Sequence, residues 1–405
     1  MQRNLKVAER AKVPAFEVMS ILDRVAQLRA AGRNVVSLCA GEPGDGAPSA
    51  VSRRAAQIHA EGTPLTYTPA LGIRELRQAI AGHYKRWYNI EVPAANVAVT
   101  TGSSGAFMLL FLAAFNAGDK VALARPGYPA YANILRTLGI DVVELAAGPE
   151  SRYQPSVELL EAAWEKHGHL DGLVLASPAN PTGTMVSGSE LDDLAIWCRE
   201  RGVRLVSDEI YHGIDYPEPG AQTRRSVSSW ELDADTVVIS SFSKYWGMTG
   251  WRLGWALVPD DLLPTVDALA GNVALCPPAP AQYAALAAFG EDSYREAEAR
   301  VAEFSGARAT LLAALPRLGW GECAPADGAF YLYADLGEKL GSFADSSQYC
   351  AALLEAQGVA IVPGVDFDAV DGGRRVRLSF AAGLGQVTEA IERIVRFQNG
   401  HSVSA

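Results

Sequence analysis

The sequence predicts an α/β protein, with a mostly parallel mixed central sheet, helices on both faces and a smaller α+β domain beside it. Three observations predict this. Short β-branched or apolar runs alternate with helical stretches between about residues 97 and 258, the pattern of a layered sheet buried on both faces. Polar motifs fall just after those runs, where open α/β sheets place their ligands. Beyond about residue 290 the rhythm changes, and 405 residues are too many for one small core.

In chain order, a helix over about residues 17–31 belongs to an N-terminal segment, residues 1–46, expected to pack with the smaller domain. Val97-Ala98-Val99-Thr100-Thr101 reads as a strand, followed by a helix over about residues 103–115. Lys120-Val121-Ala122-Leu123-Ala124 is the next strand, and a helix containing Ile134, Leu135 and Leu138 leads to Asp141-Val142-Val143-Glu144-Leu145. Strands follow at 172–176, 203–207, 236–240 and 254–258, with a helix at 190–201. These fill a large domain over residues 47–290. A long helix over about 293–315, strands near 329–333, 359–362 and 376–380, and a last helix to about 398 form the smaller domain, residues 291–405.

The bulk numbers exclude several function classes. Hydrophobic content of 49% with 20% charged residues is that of a soluble globular enzyme. A net charge of −11 argues against a nucleic-acid or anionic-membrane surface. Five scattered cysteines without a CxxC pair read as free thiols of a reducing compartment. The start, Met1-Gln2-Arg3-Asn4-Leu5-Lys6, has no apolar core behind it and does not fit a signal peptide. The longest apolar run, residues 106–115, is too short to span a bilayer. A cytoplasmic enzyme is expected, and no His/Asp/Glu cluster has metal-ligand spacing.

Lys244 lies in Ser241-Phe242-Ser243-Lys244-Tyr245-Trp246-Gly247-Met248-Thr249-Gly250-Trp251-Arg252-Leu253-Gly254, after Thr236-Val237-Val238-Ile239. The end of a buried strand is a poor place for a charged amine, because desolvation disfavours the ammonium form. A lysine kept there suits Schiff-base chemistry, which uses the neutral amine. The neighbouring serines and Arg252 supply the hydroxyls and guanidinium that a phosphate group needs. An aldehyde-reactive lysine beside a phosphate clamp points to pyridoxal 5'-phosphate (PLP).

Other strand ends carry further candidates. Gly102-Ser103-Ser104-Gly105 opens a helix, either as a simple cap or as an anion cradle to which Ser103 and Ser104 donate. Asn180-Pro181-Thr182-Gly183 is a turn in which Asn180 can donate to the cofactor's phenolic oxygen. Asp208 is either a cap or ion-pair member, or the carboxylate that keeps the pyridine nitrogen protonated. Tyr211, on the following turn, can reach the same oxygen as Asn180. Tyr128, in Gly127-Tyr128-Pro129, is either a core plug or a ring stacked on the pyridine. His212 reads as a structural hydrogen-bonder, and Tyr245 or Trp246 as packing or as pocket wall.

Taken in order, Gly102-Ser103-Ser104, Tyr128, Asn180-Pro181-Thr182-Gly183, Asp208 with Tyr211, Ser241 with Lys244, Arg252 and Arg377 resemble the signature of class I/II aminotransferases, the fold-type-I PLP enzymes. The likeness runs from Leu38-Cys39-Ala40-Gly41-Glu42-Pro43 to the last helix. Within the family the chain is similar to actinobacterial members labelled aspartate or valine–pyruvate aminotransferase. The resemblance implies the PLP transferase fold and a ping-pong transfer of an amino group from an L-amino acid to a 2-oxo acid. It implies that Lys244 carries the cofactor and shuttles a proton. Arg252, Ser241, Ser103 and Ser104 would hold the phosphate, and Arg377 and the Gly41 backbone the substrate carboxylate. Tyr67, in Leu65-Thr66-Tyr67-Thr68-Pro69, matches the family tyrosine that crosses a dimer interface to the partner's phosphate, which implies a homodimer with a shared site. A C–S lyase or another biosynthetic PLP enzyme would use the same Lys244 and Asp208. An aminotransferase-like regulator would carry an N-terminal DNA-binding domain, whereas here the fold begins near residue 30.

Overall fold

The computed structural model describes residues 5–217 and 226–400. Twelve strands occur among them: β1 (Val36–Ser37), β2 (Val97–Thr100), β3 (Lys120–Arg125), β4 (Asp141–Ala146), β5 (Gly172–Ala176), β6 (Arg204–Asp208), β7 (Val237–Ser241), β8 (Gly254–Leu257), β9 (Tyr331–Asp335), β10 (Val359–Ala360), β11 (Val362–Pro363) and β12 (Arg375–Ser379). Seven form one sheet in the order β2-β8-β7-β6-β5-β3-β4. The β3, β4, β5, β6 and β7 pairs are parallel, and β8 runs antiparallel to both β2 and β7.

Every residue of β2 and β7 is buried, so these strands show no polar alternation and need cover on both faces. The pleat divides them. Val174, Val206 and Ile239 face one layer with Phe107 and Leu110 of helix Gly102–Ala114. Leu173, Leu175 and Leu205 face the other, with Leu160 and Leu194 of helices Val157–His167 and Gly188–Arg201. The edge strand β4 alternates buried and exposed residues.

The smaller antiparallel sheet has the order β9-β12-β11, and β1 pairs in parallel with β10. Val25 and Leu28 of helix Glu17–Ala30 share a core with Tyr333, Ala360 and Val362. The N-terminal segment is therefore packed onto strands some 300 residues later in the chain.

Several bounds differ from the sequence expectation for identifiable reasons. The helix expected at 190 starts at Gly188, because Ser187 and Glu190 form a reciprocal capping box. The strand expected at 329–333 starts at Tyr331. Before it, Gly328 N–H bonds to Gly183 O (2.8 Å) and Ala329 N–H to Ile214 O (2.7 Å), and Ala329 has φ 55°, so both are tied to other loops. β6 extends one residue further than expected and ends on Asp208. No helix among the described residues is long and apolar enough to cross a membrane.

Candidate active site

In the large sheet β3 has β4 on one side and β5 on the other, with β6 and β7 continuing outward from β5. Chain order thus reverses between β3 and β5, and the crevice at such a switch is the expected ligand site. Tyr128 and Tyr131 follow β3, Asn180 follows β5, Asp208 ends β6, and Lys244 follows β7.

One corner of the crevice forms where three ends meet. Thr100 pairs with Gly254, and Gly254 with Ser241, which brings together the start of helix Gly102–Ala114, the end of β7 and the start of β8. Thr101 provides no side-chain cap, so the first N–H groups of that helix keep their capacity for an anion. Gly102 has φ 74°, and a Cβ there would lie 2.6 Å from Arg252 Nη2. A Cβ on Gly254 would lie 2.9 Å from Ser103 N. The guanidinium of Arg252 thus rests on a helix start that only glycine leaves open. Buried Ser241 has its Oγ 2.8 Å from Ser243 Oγ and 3.1 Å from Leu253 O. Ser103 is half-buried and Ser104 exposed.

At the centre, Lys244 Nζ donates to Gly41 O at 2.6 Å and lies 5.8 Å from the Tyr211 ring centroid. Burial pulls its pKa down to about 8; Arg377 and Arg252 act in the same direction, while Glu42 and Asp208 oppose it. Asp208 is buried and its pKa rises to about 6 through desolvation, against the pull of hydrogen bonds from Tyr131 O–H and Ile210 N–H (3.0 Å) and of the Lys244 charge. Tyr211 Oη lies 2.6 Å from Tyr331 Oη.

On the small-sheet side, Arg377 is 5% exposed. Its Nη1 donates to Asn180 Oδ1 (2.8 Å) and its Nη2 to Cys39 O (2.7 Å), while buried Nε has no partner. Its guanidinium carbon lies 4.6 Å from the Tyr331 ring centre and 4.7 Å from that of Phe367. A Cβ on Gly41 would strike the Tyr331 hydroxyl, so the backbone at 41 passes close to the same tyrosine.

The structure thus brings Lys244, Tyr211, Asn180, Arg377 and Gly41 together through direct contacts and Tyr331, sets Asp208 within electrostatic reach of Lys244, and gathers Arg252, Ser241 and Ser103 at the neighbouring corner. Tyr128 packs edge-on to Tyr131 (5.4 Å) and parallel to Phe16 (6.2 Å). Tyr67 is 80% exposed and meets none of these residues. Sequence reasoning missed Tyr131, which lies three positions after Tyr128 at helical spacing, and Tyr331, for which no local signal exists. Tyr245 and Trp246 are buried in the core, bonded to Glu298 (2.6 Å) and Ala288 O (2.9 Å), and do not wall the site. His212 bonds to Tyr88 (2.6 Å) and Ser177 O (3.0 Å), and burial pulls its pKa down to about 3, so it is a neutral structural residue.

Comparison with known proteins agrees with this geometry. Residues 33–394 match the family model "Aminotransferase class I and II". The chain is 47% identical over 390 residues to the valine–pyruvate aminotransferase of Mycobacterium tuberculosis, covering 96% of this chain and 97% of that protein. It is 35% identical to the aspartate aminotransferase of Bacillus subtilis, covering 98% and 100%. Among solved structures, an aminotransferase from Mycobacterium tuberculosis superposes with a TM-score of 0.93 at 46% identity, covering 98% of this chain and 100% of that one. Aspartate aminotransferase from Thermus thermophilus with maleate gives 0.88 at 30% identity, covering 97% and 100%. A match over nearly the whole length, in sequence and in fold, shows that this chain belongs to the class I and II aminotransferases.

Proposed function

We propose that this aminotransferase binds PLP in the crevice at Lys244 and moves the amino group of an L-amino acid to a 2-oxo acid by a ping-pong route. The observation that carries the reading is the buried Lys244 amine, lowered to about 8 and set among Asp208, Arg252 and Arg377. The residues suit the cofactor. The Gly102–Ser103 helix start, Ser104, Ser241 and Arg252 offer backbone, hydroxyl and guanidinium donors to a phosphate. Asp208 offers a carboxylate for a ring nitrogen, Tyr211 and Asn180 offer donors for a phenolic oxygen, and Tyr128 offers a ring face. The family is one that uses PLP.

Bound PLP supplies an aldehyde for exchange with amines and a ring that accepts the electron pair left at the substrate α-carbon. The chain's own residues do the rest. Arg377, whose Nε is buried without a partner, grips the substrate α-carboxylate as a planar fork, with the Gly41 backbone beside it. Lys244 would hold the cofactor. Its amine, whose pKa burial pulls down to about 8, would be placed to take up and return the proton of the substrate α-carbon. Asp208 would supply the carboxylate that favours a protonated ring nitrogen. The wide exposure of Tyr67, Val273 and Leu275 supports a homodimer in which Tyr67 reaches the partner's phosphate. A cytoplasmic setting agrees with the five free cysteines.

The names of the relatives support two donor classes, aspartate and aliphatic amino acids such as valine or alanine. A panel of aspartate, glutamate, alanine, valine and aromatic donors, each with pyruvate and 2-oxoglutarate, tests the reading. Amino-group transfer strictly dependent on an oxo acid is expected. Release of pyruvate and ammonia from a cystathionine-type substrate without an oxo acid would contradict it.

A further inference from the structure

Arg300 lies on the long helix Glu291–Leu318 and is 8% exposed. Its Nη2 donates to Gly46 O at 3.0 Å, and its Nε lies 3.5 Å from the carboxylate of Asp45, which is itself exposed. Its Nη1 is buried with no partner. A buried guanidinium with one hydrogen bond and a distant, solvated counter-charge is costly, and an apolar residue would pack there more cheaply. Its surroundings give the reason for it. Gly247, in the turn that carries Lys244, has φ 65°, and a Cβ there would lie 2.7 Å from Arg300 Nη1 and 2.5 Å from Gly46 O. The Gly247 N–H bonds to Lys244 O at 3.1 Å, closing that turn. The guanidinium, the Gly46 carbonyl and the catalytic lysine's turn are therefore in direct contact, with room for no side chain between them.

The segment from Cys39 to Gly46 has two other ties to the site. Arg377 Nη2 donates to Cys39 O at 2.7 Å, and Lys244 Nζ donates to Gly41 O at 2.6 Å. Both donors are groups the reaction needs elsewhere, Arg377 for a carboxylate and Lys244 for its amine chemistry. Of these three ties, Arg300's is the one made by a group with no part in the proposed reaction.

We infer that Arg300 is a positioning residue that clamps the Gly41–Gly46 loop to the Lys244 turn, so that the Gly41 backbone keeps its place when Arg377 and Lys244 let go. The inference rests on the reading of Arg377 and Gly41 as the carboxylate site. Arg300→Leu in the holoenzyme is expected to raise KM for both the amino acid and the oxo acid about tenfold, with kcat within about twofold, the pattern of lost ground-state binding. Arg300→Lys should recover part of the loss. Amide hydrogen exchange at residues 41–48 should quicken in Arg300→Leu, with or without substrate. Should that variant fail to fold, Asp45→Ala, which changes only an exposed side chain, should show the same KM pattern at smaller size. Unchanged KM with unchanged exchange at 41–48, whatever the change in Tm, would overturn the inference. An Arg377→Lys control separates the two claims: unchanged KM there defeats the carboxylate reading, whereas a raised KM there with normal Arg300→Leu kinetics defeats only the clamp.

Discussion

Tyr131 shows how one hydroxyl sets the chemistry of the residue below it. Its O–H donates to Asp208, and that bond opposes the desolvation that lifts the carboxyl to about 6. In the proposed role Asp208 works only as an anion, so activity is expected to fall as pH drops through its pKa. Removing the donor in Tyr131→Phe raises that pKa, so the acid limb of the kcat/KM profile should move to higher pH. A hydrogen bond to a charged group is worth ~1.5–3 kcal/mol, so kcat/KM near the acid limb should fall about tenfold or more. A limb that stays in place would show that Tyr131 only packs. The sequence made Asp208 and Lys244 legible because each is a charged group at the end of a buried run, whereas Arg377, in mid-strand, was implied by the family resemblance. It left Tyr131 and Tyr331 unread because a tyrosine among apolar residues looks the same whether it packs or donates. The Tyr331 partner of Tyr211 lies 120 positions away.

At the scale of elements, the proposed phosphate corner depends on three backbone ends brought together by the antiparallel insertion of β8 between β2 and β7. Gly102 is the point where that meeting is tightest. Gly102→Ala adds a methyl that meets the Arg252 guanidinium and forces a side chain into a positive-φ position. The affinity for PLP, followed by cofactor absorbance, should weaken by about tenfold or more, equivalent to ~1.4 kcal/mol or more. Unchanged affinity would mean that the phosphate lies elsewhere. The strands of this corner were legible, since β-branched runs such as Val237-Val238-Ile239 have few other uses. The direction of β8 was not, because a four-residue buried run reads the same either way. Helices Ser49–Ala60 and Arg74–Tyr88 give a weak sequence signal although Leu76, Ile80, Tyr84 and Tyr88 recur at helical spacing. Their polar faces hid the pattern.

At the scale of the whole molecule, the site is assembled from segments that the fold joins across almost the full chain. Cys39 O and Arg377 are 338 positions apart. Order along the chain made the set recognisable as a family, but no sequence rule gives such a distance, because it is a product of how the small sheet packs on the large one. The proposed shared site extends this logic to a second copy. The protein should run as a dimer in size-exclusion chromatography with light scattering at micromolar concentration. Tyr67→Phe should leave that dimer intact and weaken PLP binding, by roughly the 1.5–3 kcal/mol of one hydrogen bond to a charged group. A monomer with full activity would remove any role for Tyr67. In the proposed function the buried Lys244 amine both holds PLP and moves the substrate proton, and the decisive measurement is the half-reaction of Lys244→Ala with an amino donor. The variant is expected to bind PLP but to convert donor to oxo acid slower by roughly 10²–10⁴-fold, the usual contribution of a positioned general base. A half-reaction at the wild-type rate would contradict it.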